Sequence, residues 1–189
     1  AEAKGRVPVI AGAGSNNTIE AKRLATHAEA VGADAVLIVS PYYNKPSQAG
    51  LLAHYSAIAD VISIPLIIYD IPGRSVVKVS DDVLAELAMH KNIAGIKDAT
   101  GDCGRPTRLL NKIGDGFCQL SGDDATALPY LAAGGHGMIS VVSNIAPKLY
   151  ADMYNAWADG TVVLAMELNK KLMPLHDNLF CESSPGPVK

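Results

Sequence analysis

The chain has 189 residues, of which 49% are hydrophobic and 19% charged, with a formal net charge of −3 at pH 7. That balance suits one folded domain with a sizeable core rather than a disordered chain. No basic patch points to nucleic acid, and no apolar run is long enough to span a membrane. Cys103, Cys118 and Cys181 are widely separated and the five histidines are scattered. The spacing therefore predicts neither a disulfide framework nor a metal site, and a reduced cytoplasmic setting is expected.

Short apolar runs alternate with longer amphipathic ones. A strand is expected over residues 7–11, then a polar loop, then a helix over 18–31 carrying Ile19, Leu24, Ala28 and Val31. Strand 35–40 precedes helix 48–61, with Leu51, Leu52, Tyr55, Ile58 and Ala59 on its apolar face. Strand 66–71 follows. Ser80 is then placed to cap a helix over 81–90, whose acidic first turn complements the helix dipole. Strand 93–97 leads to helix 106–113, strand 117–121 to helix 125–133, and strand 138–142 to helices over 147–159 and 162–175.

Six consecutive strand–helix units imply a parallel sheet, because a short crossover through a helix returns the next strand in the same direction. Two architectures compete: an open doubly wound sheet and a (β/α)8 barrel. Gly12-Ala13-Gly14 follows a strand, but Asn17 stands where the third glycine of a dinucleotide fingerprint belongs. Every expected strand ends in a polar loop rich in Gly, Ser, Tyr, Asn or Lys, and a barrel gathers those ends on one face, where its enzymes place their sites. The expectation is therefore a (β/α)8 barrel. A barrel needs eight strands and about 250 residues, so this chain is expected to be a piece of a longer one that lacks the first two units. Residues 1–160 would be the partial barrel and 161–189 the start of a C-terminal helical region.

Three strand-end loops carry the candidate chemistry. They are Pro41-Tyr42-Tyr43-Asn44-Lys45-Pro46, Tyr69-Asp70-Ile71-Pro72-Gly73-Arg74-Ser75 and Gly95-Ile96-Lys97-Asp98-Ala99-Thr100-Gly101. Lys97 ends an apolar run. In a dry pocket its ammonium is disfavoured, leaving a neutral amine able to attack a carbonyl. It could instead reach water or pair with Asp98. A strand-end tyrosine can relay protons or simply pack, and an arginine can grip a carboxylate or sit on the surface. Residue types alone leave these alternatives open.

In this order and on successive strand ends, the segments resemble the dihydrodipicolinate synthase family, within the N-acetylneuraminate lyase superfamily of class I aldolases. The resemblance runs through Ile10-Ala11-Gly12, Pro41-Tyr42-Tyr43, residues 69–74, Gly95-Ile96-Lys97, Ser121-Gly122-Asp123-Asp124 and Gly134-Gly135-His136-Gly137. It implies a (β/α)8 barrel with extra C-terminal helices, assembled as a homotetramer of two tight dimers. It also implies a cofactor-free condensation of pyruvate with L-aspartate 4-semialdehyde on the route to diaminopimelate and lysine. Lys97 would form the pyruvate Schiff base, and Tyr69 would relay protons beside it. Tyr43 would join the same relay in the neighbouring subunit. Arg74 would hold the aldehyde's carboxylate, and Gly122 and Ile139 would line the pocket. Asn16, Glu20 and Tyr42 match a lysine-inhibition site at the tight-dimer interface, where Glu20 would hold the effector's ammonium; a carboxylate in the first turn of a helix is also favourable without any ligand.

The match has departures. The family's Gly-Thr-Thr-Gly-Glu loop, which supplies the central hydroxyl of the relay and donors for pyruvate's carboxylate, is not in this sequence. The 189 residues alone are therefore expected not to be catalytically competent. Asp70 stands where the family usually has Asn, and Asp98 where Glu is more frequent; Asp70 is expected to point away from the pocket. Arg74 favours a short acidic aldehyde over the sugar acids of sister aldolases. A non-catalytic paralogue is the rival from another class. His136, before the last strand, reads as structural.

Overall fold

The computed structural model describes residues 2–3 and 5–189. Six strands follow one another as β1 (Ile10–Gly12), β2 (Ala35–Val39), β3 (Leu66–Asp70), β4 (Ile93–Asp98), β5 (Cys118–Ser121) and β6 (Gly137–Met138). Their spatial order is the chain order, and all five pairings are parallel. This ordering decides between the two expected architectures. A doubly wound sheet reverses its strand order at a switch point; here each crossover advances in the same direction. Because such crossovers share one hand, the helices lie on one side of the sheet, and the other side is left to line a cleft. The winding is that of a (β/α)8 barrel, with β1 and β6 at the two edges of the described sheet.

The helices between the strands are α1 (Thr18–Ala30), α2 (Gln48–Ala59), the single turn α3 (Pro72–Ser75), α4 (Asp81–Leu87), α5 (Arg105–Ile113) and α6 (Ala127–Ala132). A 3-10 turn over Val142–Asn144 leads to α7 (Pro147–Ala158) and α8 (Val162–Asn178). Side-chain caps start several of them. The Asn17 carboxamide accepts from the amides of Ile19 and Glu20, and the Ser47 and Ser80 hydroxyls accept from those of Gly50 and Val83. The Ser80 cap and the acidic first turn of Asp81 and Asp82 are as the sequence predicts.

The strand pleat divides the residues between two environments. Val36, Ile38, Leu66, Ile68 and Ile96 face the helices and are fully buried against Ala21, Ala25, Leu51, Ile58, Leu84 and Leu109. Each such side chain contributes about 1.5–3 kcal/mol through burial. Their neighbours Leu37, Val39, Tyr69 and Lys97 are only half-buried, on the cleft side. A second cluster joins Ala127, Leu128, Val142, Tyr150 and Met153 to Ala165, Leu168, Leu172 and Leu179, so α8 packs onto α7 and α6.

Several expected boundaries differ, the helix over 81–90 for one ending at Leu87, and three of the differences have a local cause. Strand 7–11 shrinks to β1 because Pro8 has no amide hydrogen and the Val9 amide donates to the Asp34 carboxylate at 2.7 Å instead of to a ladder. Strand 138–142 shrinks to β6 because Asp124 Oδ2 accepts from the amides of Val141 and Val142 at 2.9 and 3.0 Å, turning the chain into the 3-10 helix. Helix 162–175 runs through Pro174 to Asn178, held by Leu168, Leu172 and Leu179 in the second core. His136 is structural, as expected: its Nδ1 accepts from the Gln119 amide at 3.1 Å, and its carbonyl accepts from the Tyr154 hydroxyl at 3.1 Å.

Gly95 lies in line with Ile67 on β3 and Cys118 on β5. A Cβ there would collide with the Cys118 carbonyl and lie 2.7 Å from its Cβ. Backbone on both strands would have to move. Gly95→Ala is therefore expected to destabilise the fold by about 1–3 kcal/mol, measured by urea unfolding; unchanged stability would contradict this packing.

Candidate active site

The register across the sheet builds the site. Val39, Tyr69, Lys97, Leu120 and Gly137 are successive partners across β2 to β6. In-register residues of a pleated sheet project to the same side, so Tyr69 and Lys97 share the cleft side near the C-terminal ends of their strands. The Lys97 Nζ lies over the Tyr69 ring, 4.1 Å from its centroid. Asp70 and Asp98, one residue on, project to the helix side and are buried there. Asp98 pairs with Arg105, not with Lys97, so the surface-pair alternative for Lys97 is removed by strand alternation.

Burial pushes the Lys97 ammonium below the ordinary lysine range, and the negative charge of Asp124 partly opposes the shift. Burial pushes the Tyr69 phenol upward, with the Arg74 charge opposing. The pair thus comprises an amine made easier to deprotonate and a phenol that keeps its proton. That is the division a carbonyl-addition site needs: a nucleophile beside a proton donor.

Gly122 gives the lysine its space. A Cβ there would fall 2.9 Å from Lys97 Cε and 3.1 Å from both Lys97 Cγ and Ala99 Cβ. Its amide donates to the Asp98 carbonyl at 2.7 Å. Ile139, half-buried, extends the last pairing through its amide to the Ser121 carbonyl at 2.8 Å.

Arg74 stands between two openings. One, of about 490 Å³, is lined by Gly12, Leu37, Val39, Tyr42, Tyr69 and Arg74 among others. The second, of about 300 Å³, includes Arg74, Ala99, Gly122, Asp123 and Phe180. The short helix α3, begun by Pro72 and tied by the Ser75 hydroxyl to the Ile71 carbonyl, presents the arginine. Arg74 Nη2 donates to the Ser184 carbonyl at 3.2 Å, which brings the segment after α8 to the rim.

The remaining expected site residues lie on two neighbouring loops. Asn16 Nδ2 donates to the Tyr42 carbonyl at 3.2 Å, and Asn44 Nδ2 to the Asn16 carbonyl at 3.0 Å. Glu20, in the first turn of α1, accepts from the Ser15 hydroxyl at 2.5 Å. Tyr43 is not gathered with Tyr69 and Lys97: it is 88% exposed and holds a positive φ of 73°, unusual for a residue with a side chain. Among the described residues, no three His, Cys, Asp or Glu side chains gather as a metal site requires.

Two charged residues escape sequence reasoning. Asp124, 3% exposed, is the charge that acts on Lys97; nothing local sets it apart from Asp123. Arg105 begins α5. A cation in a first helical turn opposes the helix dipole, and that is the signal that could have found it.

Fold and site together are those of a (β/α)8-barrel protein with a lysine of lowered basicity at the C-terminal mouth. The chain belongs to the dihydrodipicolinate synthetase family, whose model matches residues 1–189. It is 59% identical over 187 residues to the 4-hydroxy-tetrahydrodipicolinate synthase of Acidiphilium cryptum, a match covering 99% of this chain and 64% of that relative. The structure superposes with a TM-score of 0.95 on the chloride-inhibited dihydrodipicolinate synthase of Acinetobacter baumannii complexed with pyruvate, at 47% identity over 98% of this chain and 64% of that one. With the Cyanidioschyzon merolae enzyme, solved with lysine bound, the TM-score is 0.91 at 36% identity, covering 94% of this chain and 61% of that one. The chain thus spans a little under two thirds of the relatives it matches.

Asp124→Asn removes the charge that raises the Lys97 pKa but leaves an oxygen to accept from Val141 and Val142. The amine should then lose its proton more readily. The pH–rate profile for modification of Lys97 by an amine-reactive aldehyde should move to lower pH. A profile that stays in place or moves upward would contradict the electrostatic account.

Proposed function

We propose that the protein to which this chain belongs condenses pyruvate with L-aspartate 4-semialdehyde, making 4-hydroxy-tetrahydrodipicolinate for lysine and diaminopimelate synthesis. The observation that carries this reading is the Lys97 amine beside the Tyr69 phenol on one side of the sheet. The neutral amine attacks the C2 carbonyl of pyruvate to give a carbinolamine. Tyr69 supplies a proton as the hydroxyl leaves as water, and a protonated imine remains. The imine draws electrons from the methyl group, which loses a proton to give an enamine. The enamine carbon then bonds to the aldehyde carbon, whose oxygen takes up a proton, and the aldehyde substrate's own amine adds to the re-formed imine, closing the ring and releasing the Lys97 amine. This chemistry uses no metal or organic cofactor.

Arg74, at the rim shared by both openings, suits the carboxylate of the incoming aldehyde. Gly122 and Ile139 line the space around the imine. The exposure of Tyr43 supports its serving a neighbouring subunit's relay within a homotetramer. The hydrogen-bonded loops of Asn16 and Tyr42, with Glu20 beside them, support a lysine-effector site at the subunit contact. The three free cysteines accord with a cytoplasmic setting.

Full-length protein incubated with pyruvate and borohydride should gain one reduced pyruvyl adduct per chain, located by mass spectrometry at Lys97. An adduct that persists in Lys97→Ala, or none in the unaltered protein, would refute the mechanism. Arg74→Ala should leave adduct formation nearly intact while kcat/KM for the aldehyde falls by about 10- to 100-fold, the worth of a charge-assisted hydrogen bond. Equal loss in both steps would contradict the role of Arg74.

A further inference from the structure

We propose that Arg105 is the positioning residue of this site: it locks β3 against β4 in the one register that puts Tyr69 and Lys97 face to face. The inference rests on the imine reading of Lys97 and adds to it a device on the opposite side of the sheet.

The β3–β4 pairing is irregular. Leu66 pairs with Ile93, but Ile67 pairs with Gly95, so Ala94 is an extra residue on β4. Without that shift, Tyr69 would stand opposite Ile96, and Lys97 opposite Asp70. A slip of one residue exchanges the two faces of a strand. In the slipped pairing, either the phenol or the amine leaves the cleft. Leu66, Ile68, Ile93 and Ile96 all face the helix-side core, so the extra residue at Ala94 also keeps both β4 isoleucines buried.

The polar groups beyond the pair hold that register at its far end. Asp70 and Asp98 are partners immediately after Tyr69 and Lys97. A single nitrogen, Arg105 Nη1, lies 2.7 Å from Asp70 Oδ2 and 3.4 Å from Asp98 Oδ2. Arg105 Nε donates to Asp81 Oδ1 at 3.0 Å, and Nη2 to the Val79 carbonyl. The side chains of Arg105 and Asp70 are fully buried and that of Asp98 is 1% exposed. Asp98 Oδ1 is occupied by the Thr100 amide and hydroxyl, while Oδ2 has only the ion pair with Arg105. In the slipped register, Asp98 would move by one residue, about 3.3 Å, and would point into the cleft or lose Asp70 as its neighbour. Two carboxylates would then be buried without their shared cation. The planar fork also ties this pair to α4 and to the segment before it, a combination of directions a lysine ammonium cannot match.

The test compares full-length wild type with Arg105→Lys and with the triple variant Arg105→Met, Asp70→Asn, Asp98→Asn. The triple variant removes the buried charges together, so that none is left unpaired. Circular dichroism and thermal unfolding establish the folded fraction. The readouts are the rate of borohydride-trapped pyruvate adduct per folded molecule and its pH dependence. The wild type should trap at Lys97. Both variants should trap at least tenfold more slowly, with the inflection moved upward toward that of an ordinary lysine. A folded variant with the wild-type rate and profile would overturn the proposal, because a residue that only stabilised the fold would leave both unchanged. Should the triple variant not fold, Asp98→Asn, which keeps the bonds to Thr100, should slow trapping several-fold; unchanged trapping there overturns the proposal equally. NMR titration of the Lys97 ammonium reports the same upward shift without pyruvate. A wild type that forms no adduct therefore refutes the imine reading alone and leaves the register clamp to be decided by the titration.

Discussion

The pairing of β3 with β4 beyond the Ala94 bulge is the constraint on which the site depends. A pleated strand offers each residue one of two sides, and register decides which neighbours share it. The pairing that sets Tyr69 opposite Lys97 also sets Asp70 opposite Asp98. One face of the sheet receives an amine and a phenol; the other receives two carboxylates and the buried Arg105. Chemistry and scaffold are thus two faces of the same two residue pairs. Desolvation lowers the lysine pKa, and the negative charge of Asp124 opposes it only in part.

The buried ionic cluster is expensive to form and difficult to break piecemeal. Desolvating Arg105, Asp70 and Asp98 opposes folding, and removing one member leaves the others uncompensated, typically at about 3–5 kcal/mol. Such clusters are weak evidence for stability, but they discriminate sharply between nearby arrangements, since only one geometry satisfies every charge. A one-residue slip would turn Ile96 out of the core and also part the guanidinium from one of its carboxylates. The cluster continues outward through Arg108, which pairs with Asp81 and Asp102, and Lys78, which pairs with Asp102. These exposed pairs hold the loop after β4 with little net energy each.

Much of this architecture is legible in the sequence. Short apolar runs locate the strands, amphipathic stretches locate the longer helices, and Ser80 marks a helix start. Lys97 stands out because lysine rarely ends an apolar run, and Tyr69 and Arg74 follow from a strand end and a Pro-Gly-Arg turn. What escapes is nonlocal. Arg105 meets Asp70 across 35 residues. Asp124 shortens β6 by accepting from two amides 17 and 18 residues away. Phe180 and Ser184 reach the rim only because α8 folds back over α7. None of these contacts leaves a periodic trace. Tyr43 is the opposite case: its residue type attracts notice, but its side chain stands exposed, apart from Tyr69 and Lys97.

The most direct test of the central claim is an NMR titration of the Lys97 side chain in the full-length wild-type protein, with isotope-labelled lysine and the Lys97→Ala variant to assign the signal. A pKa clearly below the ordinary lysine value of about 10.4 is the result that the register and burial of β4 require. A value at or above it would mean that the amine lies in water or beside a carboxylate, and would contradict the account.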